Sequence, residues 1–183
     1  MPSSGSVAGL VLAAGSGSRF GQPKAPVVIG GERLVDRAVR VLVEAGCDPV
    51  VVVLGAWVGH VEGADVVVND AWPEGMGSSL RTGLAHLRDA SDADRAVITL
   101  VDLPGLTTTA VERLINSSTD APAAQCTYHG ERGHPVCLAR TLWDEAIEVA
   151  QADEGARRLL REHADVVLVE VGDMADGADL DLP

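Results

Sequence analysis

A chain of 183 residues with 46% apolar side chains is long enough for one domain around a real core, and with 3% aromatics that core is built from Val, Leu and Ala. Fourteen Lys and Arg against 27 Asp and Glu give a net charge of −13, a surface that argues against nucleic acid but leaves room for a small phosphorylated ligand held by a few placed cations. No apolar stretch has the length of a membrane span, and the start Met1-Pro2-Ser3-Ser4-Gly5-Ser6 lacks a basic n-region. Three widely spaced cysteines, Cys47, Cys126 and Cys137, fit reduced thiols in a cytoplasmic protein better than a disulfide framework or a zinc site.

In chain order, Val7–Ala13 reads as a buried strand. Leu34–Glu44 reads as a helix with Leu34, Ala38, Val41 and Leu42 on one face. Val50–Leu54 and Asp65–Val68 follow as strands, and Ser78–Arg88 as a helix capped by Ser78 or Ser79. Ala96–Val101 is the next strand and Thr107–Ile115 the next helix. This alternation of strand and helix predicts βαβ units and a mostly parallel sheet. Beyond Pro122 the pattern changes. Ala123–Tyr128 and Pro135–Ala139, joined by a turn over 129–133, read as a hairpin added at an edge of the sheet. Helices near Leu142–Gln151 and Ala156–His163 and a strand at Val166–Val171 complete the pattern. By composition the acidic, glycine-containing segment Asp173–Pro183 reads as a solvated tail. No repeat or linker divides residues 1–183, so a single domain is expected.

Chemistry concentrates in three places. The first strand opens into Gly15-Ser16-Gly17-Ser18, where glycines let several backbone N–H groups converge on an anion, with Arg19 and Lys24 adding charge. A dinucleotide loop would need a third glycine at Phe20 and a helix that Pro23 and Pro26 forbid; a Walker loop would need Ser or Thr at Ala25. A phosphate site and a plain flexible turn both remain open on this loop alone. The strand ending in Val101-Asp102-Leu103-Pro104 delivers a carboxylate to the same edge, either as a Mg²⁺ ligand or as a turn-forming Asp. The third segment, Gly75-Met76-Gly77-Ser78-Ser79, leads into a helix whose free N–H groups can hold an anion.

The string Leu12-Ala13-Ala14-Gly15-Ser16-Gly17-Ser18-Arg19-Phe20-Gly21-Gln22-Pro23-Lys24 closely resembles the nucleotide loop of the MobA-like nucleotidyltransferases. Asp102-Leu103-Pro104 resembles that family's metal motif. Asn69 to Gly83 resembles a segment of its molybdenum cofactor cytidylyltransferase branch, as do Gly133-His134-Pro135 and Asp153 to Leu160. The resemblance implies an α/β, three-layer Rossmann-like nucleotidyltransferase fold. It implies Arg19, Lys24 and Asp102 in catalysis, and Leu12, Ala13, Ala14, Gly15, Ser16, Gly17, Gly77, Ser78 and Ser79 around the nucleotide. It further implies His134 and Arg157 near the acceptor, Mg²⁺ on Asp102, and Asp181 beside it, since Asp179-Leu180-Asp181-Leu182-Pro183 is similar to an acidic motif of the family with Leu182 in place of its Thr. The reaction so implied moves a nucleoside monophosphate from a triphosphate to a phosphorylated pterin acceptor, molybdopterin, with a molybdoenzyme or its chaperone as further partner. Ala14 sides with CTP, because the guanylyl branch carries a second glycine there. Another small phosphate acceptor, such as a sugar phosphate or phospholactate, and a non-catalytic cofactor carrier are the alternatives.

Overall fold

The computed structural model describes residues 5–151, 156–163 and 165–180. Continuous apolar runs become the centre of the sheet: β1 (Val7–Ala13) and β4 (Val50–Leu54) are buried at every position, as parallel strands covered on both faces must be. A short hairpin, β2 (Val28–Ile29) with β3 (Glu32–Arg33), leads into α1 (Leu34–Glu44), which buries the four expected apolar residues and also Val35 and Val39. After β4 come β5 (Asp65–Val68), α2 (Met76–Ala90), β6 (Arg95–Leu100) and α3 (Thr108–Ser117), the last capped by Thr107, whose hydroxyl accepts from the Ala110 N–H at 3.3 Å. β7 (Ala123–Tyr128), β8 (Glu131–Ala139), α4 (Trp143–Val149), α5 (Arg157–Glu162) and β9 (Val166–Glu170) complete the order.

Among the described residues seven strands form one sheet in the order β5-β4-β1-β6-β8-β7-β9, in which β8 alone runs antiparallel to its neighbours. The β7–β8 hairpin extends the parallel half through β8, and β9 closes its far side. α1 and α3 pack on one face around Leu34, Leu42, Val52, Val97 and Leu114; α2, α4 and α5 pack on the other around Leu10, Leu80, Leu84, Trp143 and Leu159. Gly83 lets α2 lie close to the sheet, because a Cβ there would run into Leu10 and Val53. The three layers and the mostly parallel sheet agree with the sequence expectation. No helix among the described residues is long and apolar enough to cross a membrane. Cys47, Cys126 and Cys137 are buried free thiols, and burial raises the first two to about 12.

Two local expectations change. The hairpin turn is two residues, His129-Gly130, both with positive φ, rather than the five expected; this geometry matches the twist of the flanking strands. The C-terminal segment is no solvated tail. It folds back as a strap, with the Asp176 N–H on the Gly105 carbonyl at 3.1 Å and the Leu180 N–H on the Asp102 carbonyl at 2.9 Å. Composition concealed this, since the bonds run through backbone while Met174, Ala175 and Leu180 supply the apolar contacts. The stretch 181–183, with Asp181, and Asp153 lie outside the described residues.

Glu170 ties the hairpin tip to β9. Its carboxylate accepts from the N–H groups of His129, Gly130 and Gly172 and from the Thr127 hydroxyl, at 2.8–3.0 Å. These donors pull its pKa from 4.5 down to about 2. A depressed carboxylate stabilises the fold above its unfolded pKa and loses that contribution as pH falls through the folded one. Glu170→Gln is therefore expected to lower the melting temperature at pH 7, and the gap to the unmodified protein is expected to close between about pH 4.5 and 2 in thermal unfolding.

Candidate active site

Three segments meet at the C-terminal edge of the sheet because β1, β4 and β6 run parallel and in register. Leu12 stands level with Val53 on one side and Leu100 on the other. In open α/β sheets this edge is where ligands bind. The segments wall an open cleft of about 560 Å³. Leu12, Ala13, Ala14, Gly15, Ser16, Gly17, Arg19 and Lys24 line it from the first loop, Gly75, Met76 and Ser79 from the start of α2, and Asp102 from the end of β6. Arg157 from α5 and Asp179 from the strap complete the wall.

At its centre the Lys24 ammonium donates to Asp102 Oδ2 at 2.7 Å, with the two side chains only 14% and 20% exposed. The pair joins positions 78 residues apart. A charge-assisted bond with little solvent around it is far stronger than a surface ion pair. Elsewhere several arginines are paired with carboxylates: Arg33 with Asp36, Arg40 with Glu32 and Glu44, Arg88 with Asp89 and Asp144, Arg113 with Asp173. Arg19 and Arg157, in contrast, face the cleft with no carboxylate partner among the described residues. A chain of net charge −13 thus brings Arg19 and Arg157 to one cleft, the local field that an anionic ligand requires.

The glycines of the first loop divide into two kinds. Gly17 has φ +62°, and a Cβ on it would run into the Gln22 carbonyl, so the loop's own turn demands glycine. Gly15 has no such constraint: a Cβ there meets no atom within 4 Å, so the bare backbone serves only the open space in front of it. Ala14 is buried at 3% exposure and accepts from the Ala56 N–H at 2.9 Å, which fixes the start of the loop.

At α2 the expected serine cap is replaced by glycine. The helix starts at Met76 after Gly75, whose φ of +105° only glycine adopts readily. Ser78 and Ser79 lie inside the helix and are buried, and Asn69 Nδ2 donates to both hydroxyls at 2.9 and 3.1 Å. Of the expected nucleotide contacts in this segment, Ser79 reaches the cleft wall and Gly77 and Ser78 do not. Gly77 is glycine because a Cβ would stand 2.9 Å from the Gln151 backbone, and Ser78 bonds to the Gly75 carbonyl at 2.8 Å. Trp72, unassigned from sequence, adds a wall; Gly55 accommodates it, since a Cβ there would be 2.8 Å from the indole.

On the far side, His134 is half-buried behind the wall. Desolvation first, and the Arg157 charge second, lower its pKa to about 4 against the opposing pull of Asp102, so the imidazole is neutral at neutral pH. Composition read Asp179 as part of a solvated tail, while the resemblance put its segment near the metal; the strap brings Asp179 to the cleft.

The MobA-like NTP transferase domain model matches residues 9–166 of the chain. The chain is 35% identical to the nicotine blue oxidoreductase of Paenarthrobacter nicotinovorans, over 96% of this chain and 92% of that one. It is 29% identical to a probable molybdenum cofactor guanylyltransferase of Mycobacterium ulcerans, over 97% and 92%. Among solved structures it is similar to Rv0371c of Mycobacterium tuberculosis, crystallised as a manganese complex, with a TM-score of 0.75, 26% identity, and 96% and 92% of the two chains covered.

The two glycines give a test that needs no knowledge of the reaction. Gly15→Ala is expected to keep the melting temperature within about 1 °C yet weaken tripolyphosphate binding about tenfold by calorimetry, because the added methyl would occupy the open space through which an anion approaches the loop's N–H groups. Gly17→Ala is expected to destabilise the protein by about 1–3 kcal/mol in denaturant unfolding, the cost of a residue forced into an unsuitable conformation.

Proposed function

The chain belongs to the MobA-like NTP transferase domain family, and on that premise we propose that it transfers CMP from CTP to molybdopterin, a phosphorylated pterin, releasing pyrophosphate. The observation that carries this reading is the 2.7 Å contact of Lys24 with Asp102 in a cleft also lined by the glycine-rich loop, Arg19 and Arg157. The reaction asked of such a site is in-line: an acceptor phosphate oxygen bonds to the α-phosphorus as the bond to the bridging oxygen of pyrophosphate breaks. A phosphate monoester is already anionic at neutral pH, so no general base is needed and a neutral His134 is no obstacle. The work left to the protein is positioning and charge neutralisation. The first loop's N–H groups, Arg19 and Lys24 hold the β- and γ-phosphates; Arg157, across the cleft, meets the acceptor phosphate.

The donor set at the cleft, Asp102 and Asp179, is of hard oxygens, which suits Mg²⁺, and the relative's manganese complex supports a divalent ion. Two carboxylates do not complete the shell of Mg²⁺, which usually keeps several waters and takes substrate phosphates as further ligands. Held by Asp102 and Asp179, such an ion would supply neutralisation of the triphosphate charge. Asp102, which now holds Lys24, would then free the ammonium for the phosphates.

The choice of CTP rests on Ala14 and its resemblance, whereas the relative named a molybdenum cofactor guanylyltransferase favours GTP. The relative named nicotine blue oxidoreductase favours a second reading from a different class, a redox enzyme that uses the same cleft for a pyrophosphate-containing cofactor.

Pyrophosphate release with each nucleoside triphosphate and Mg²⁺, with and without molybdopterin, separates these readings. Release is expected with CTP and molybdopterin together; GTP preference would move the base assignment. No release with any nucleotide, together with oxidation of a reduced nicotinamide or flavin cofactor, would give the oxidoreductase. No release and no oxidation would give the carrier. Asp102→Asn, whose amide oxygen can still accept from Lys24, is expected to lower turnover at least about 100-fold and to lower the thermal melt as well, because the part-buried ammonium loses its counter-charge.

A further inference from the structure

The segment that carries His134 is not held by the sheet. β8 pairs with β6 from Ala139 only as far as Val136 opposite Ile98. Its pairing with β7 is interrupted between Gln125 opposite Val136 and Thr127 opposite Arg132. Gly133, His134 and Pro135 fall in that gap, where the backbone must find other partners. Two side chains of β7 supply them: Gln125 Nε2 donates to the Gly133 carbonyl at 3.3 Å, and the Tyr128 hydroxyl donates to the His134 carbonyl at 2.6 Å.

Tyr128, the only tyrosine of the chain, does more than fill space. Its ring lies against two glycines. A Cβ on Gly133 would stand 2.9 Å from the ring edge and one on Gly177 would stand 2.6 Å from it. Gly177 belongs to the strap, which bonds to the Asp102 carbonyl through Leu180 and lines the cleft through Asp179. One side chain thus touches both the segment bearing His134 and the strap beside Asp102. Burial raises the phenol pKa, so the hydroxyl stays a donor throughout the physiological range. Phenylalanine would fill the same volume, so packing alone does not call for the hydroxyl.

We propose that Tyr128 is a positioning residue for the acceptor: its hydroxyl fixes the His134 peptide where the ladder does not, and its ring locks that segment to the strap. The inference rests on the reading of the cleft as a nucleotidyltransferase site with its acceptor on the His134 and Arg157 side.

The test is Tyr128→Phe in the full chain. The KM for molybdopterin is expected to rise about five- to tenfold, with the KM for the nucleotide and the melting temperature unchanged, the loss of one buried hydrogen bond. The His134 ring resonance, assigned with His134→Gln, is expected to shift in the variant. Equal changes in both KM values together with a lower melt would overturn the proposal, since that is a general structural role; so would an unmoved acceptor KM and an unmoved His134 resonance. A protein that turns over no acceptor at all defeats the transferase reading instead, and the resonance then decides alone whether Tyr128 positions His134.

Discussion

Lys24 and Asp102 stand 78 positions apart in the chain and 2.7 Å apart in space, and the gap closes because β1 and β6 run side by side in one direction. Val7 lies opposite Arg95 and Leu12 opposite Leu100, so whatever follows each strand emerges at the same edge. A slip of one residue would turn the apolar set of β1 from one core to the other, and both faces are buried, so the register is strongly held. The cleft inherits that rigidity. Its charged pair sits on strand ends and a loop anchored to them rather than on free chain.

Around this pair the molecule separates charge deliberately. Most arginines are neutralised at the surface or bound to carbonyls, while Arg19 and Arg157 line the cleft. The net charge of −13 repels anions everywhere else, so a polyphosphate ligand finds one favourable region. Lys24 and Asp102 compensate each other until a ligand offers each a better partner, which keeps a part-buried cation and carboxylate from standing alone.

The far half of the sheet is built differently. β8 reverses direction, its ladder breaks around His134, and side chains from β7 take over the backbone bonds that the ladder leaves unmade. Glu170 gathers the hairpin tip through four donors, and the strap passes over Tyr128 to reach Asp102. The His134 side of the sheet is thus held by single side chains where the Lys24–Asp102 side is held by parallel strands.

The sequence alone determined the elements, the glycine-rich character of the Gly15–Lys24 loop and the family resemblance, because strand runs, helical period and glycine-rich loops are local properties of neighbouring residues. It placed the Val7–Ala13, Leu34–Glu44, Val50–Leu54, Asp65–Val68 and Ala123–Tyr128 elements at their observed bounds. It could not separate Ser79, which reaches the cleft, from Gly77 and Ser78, which pack against Gln151 and Gly75, since all three share one motif and differ only in helical direction. Composition did not tell that the acidic tail returns to Asp102, which only the resemblance implied, and nothing in the sequence told that Tyr128 reaches His134. Those contacts join residues through strand order, a broken ladder and backbone carbonyls, and only the tertiary structure decides such pairings, because nothing in the local chain records which distant carbonyl a donor will meet.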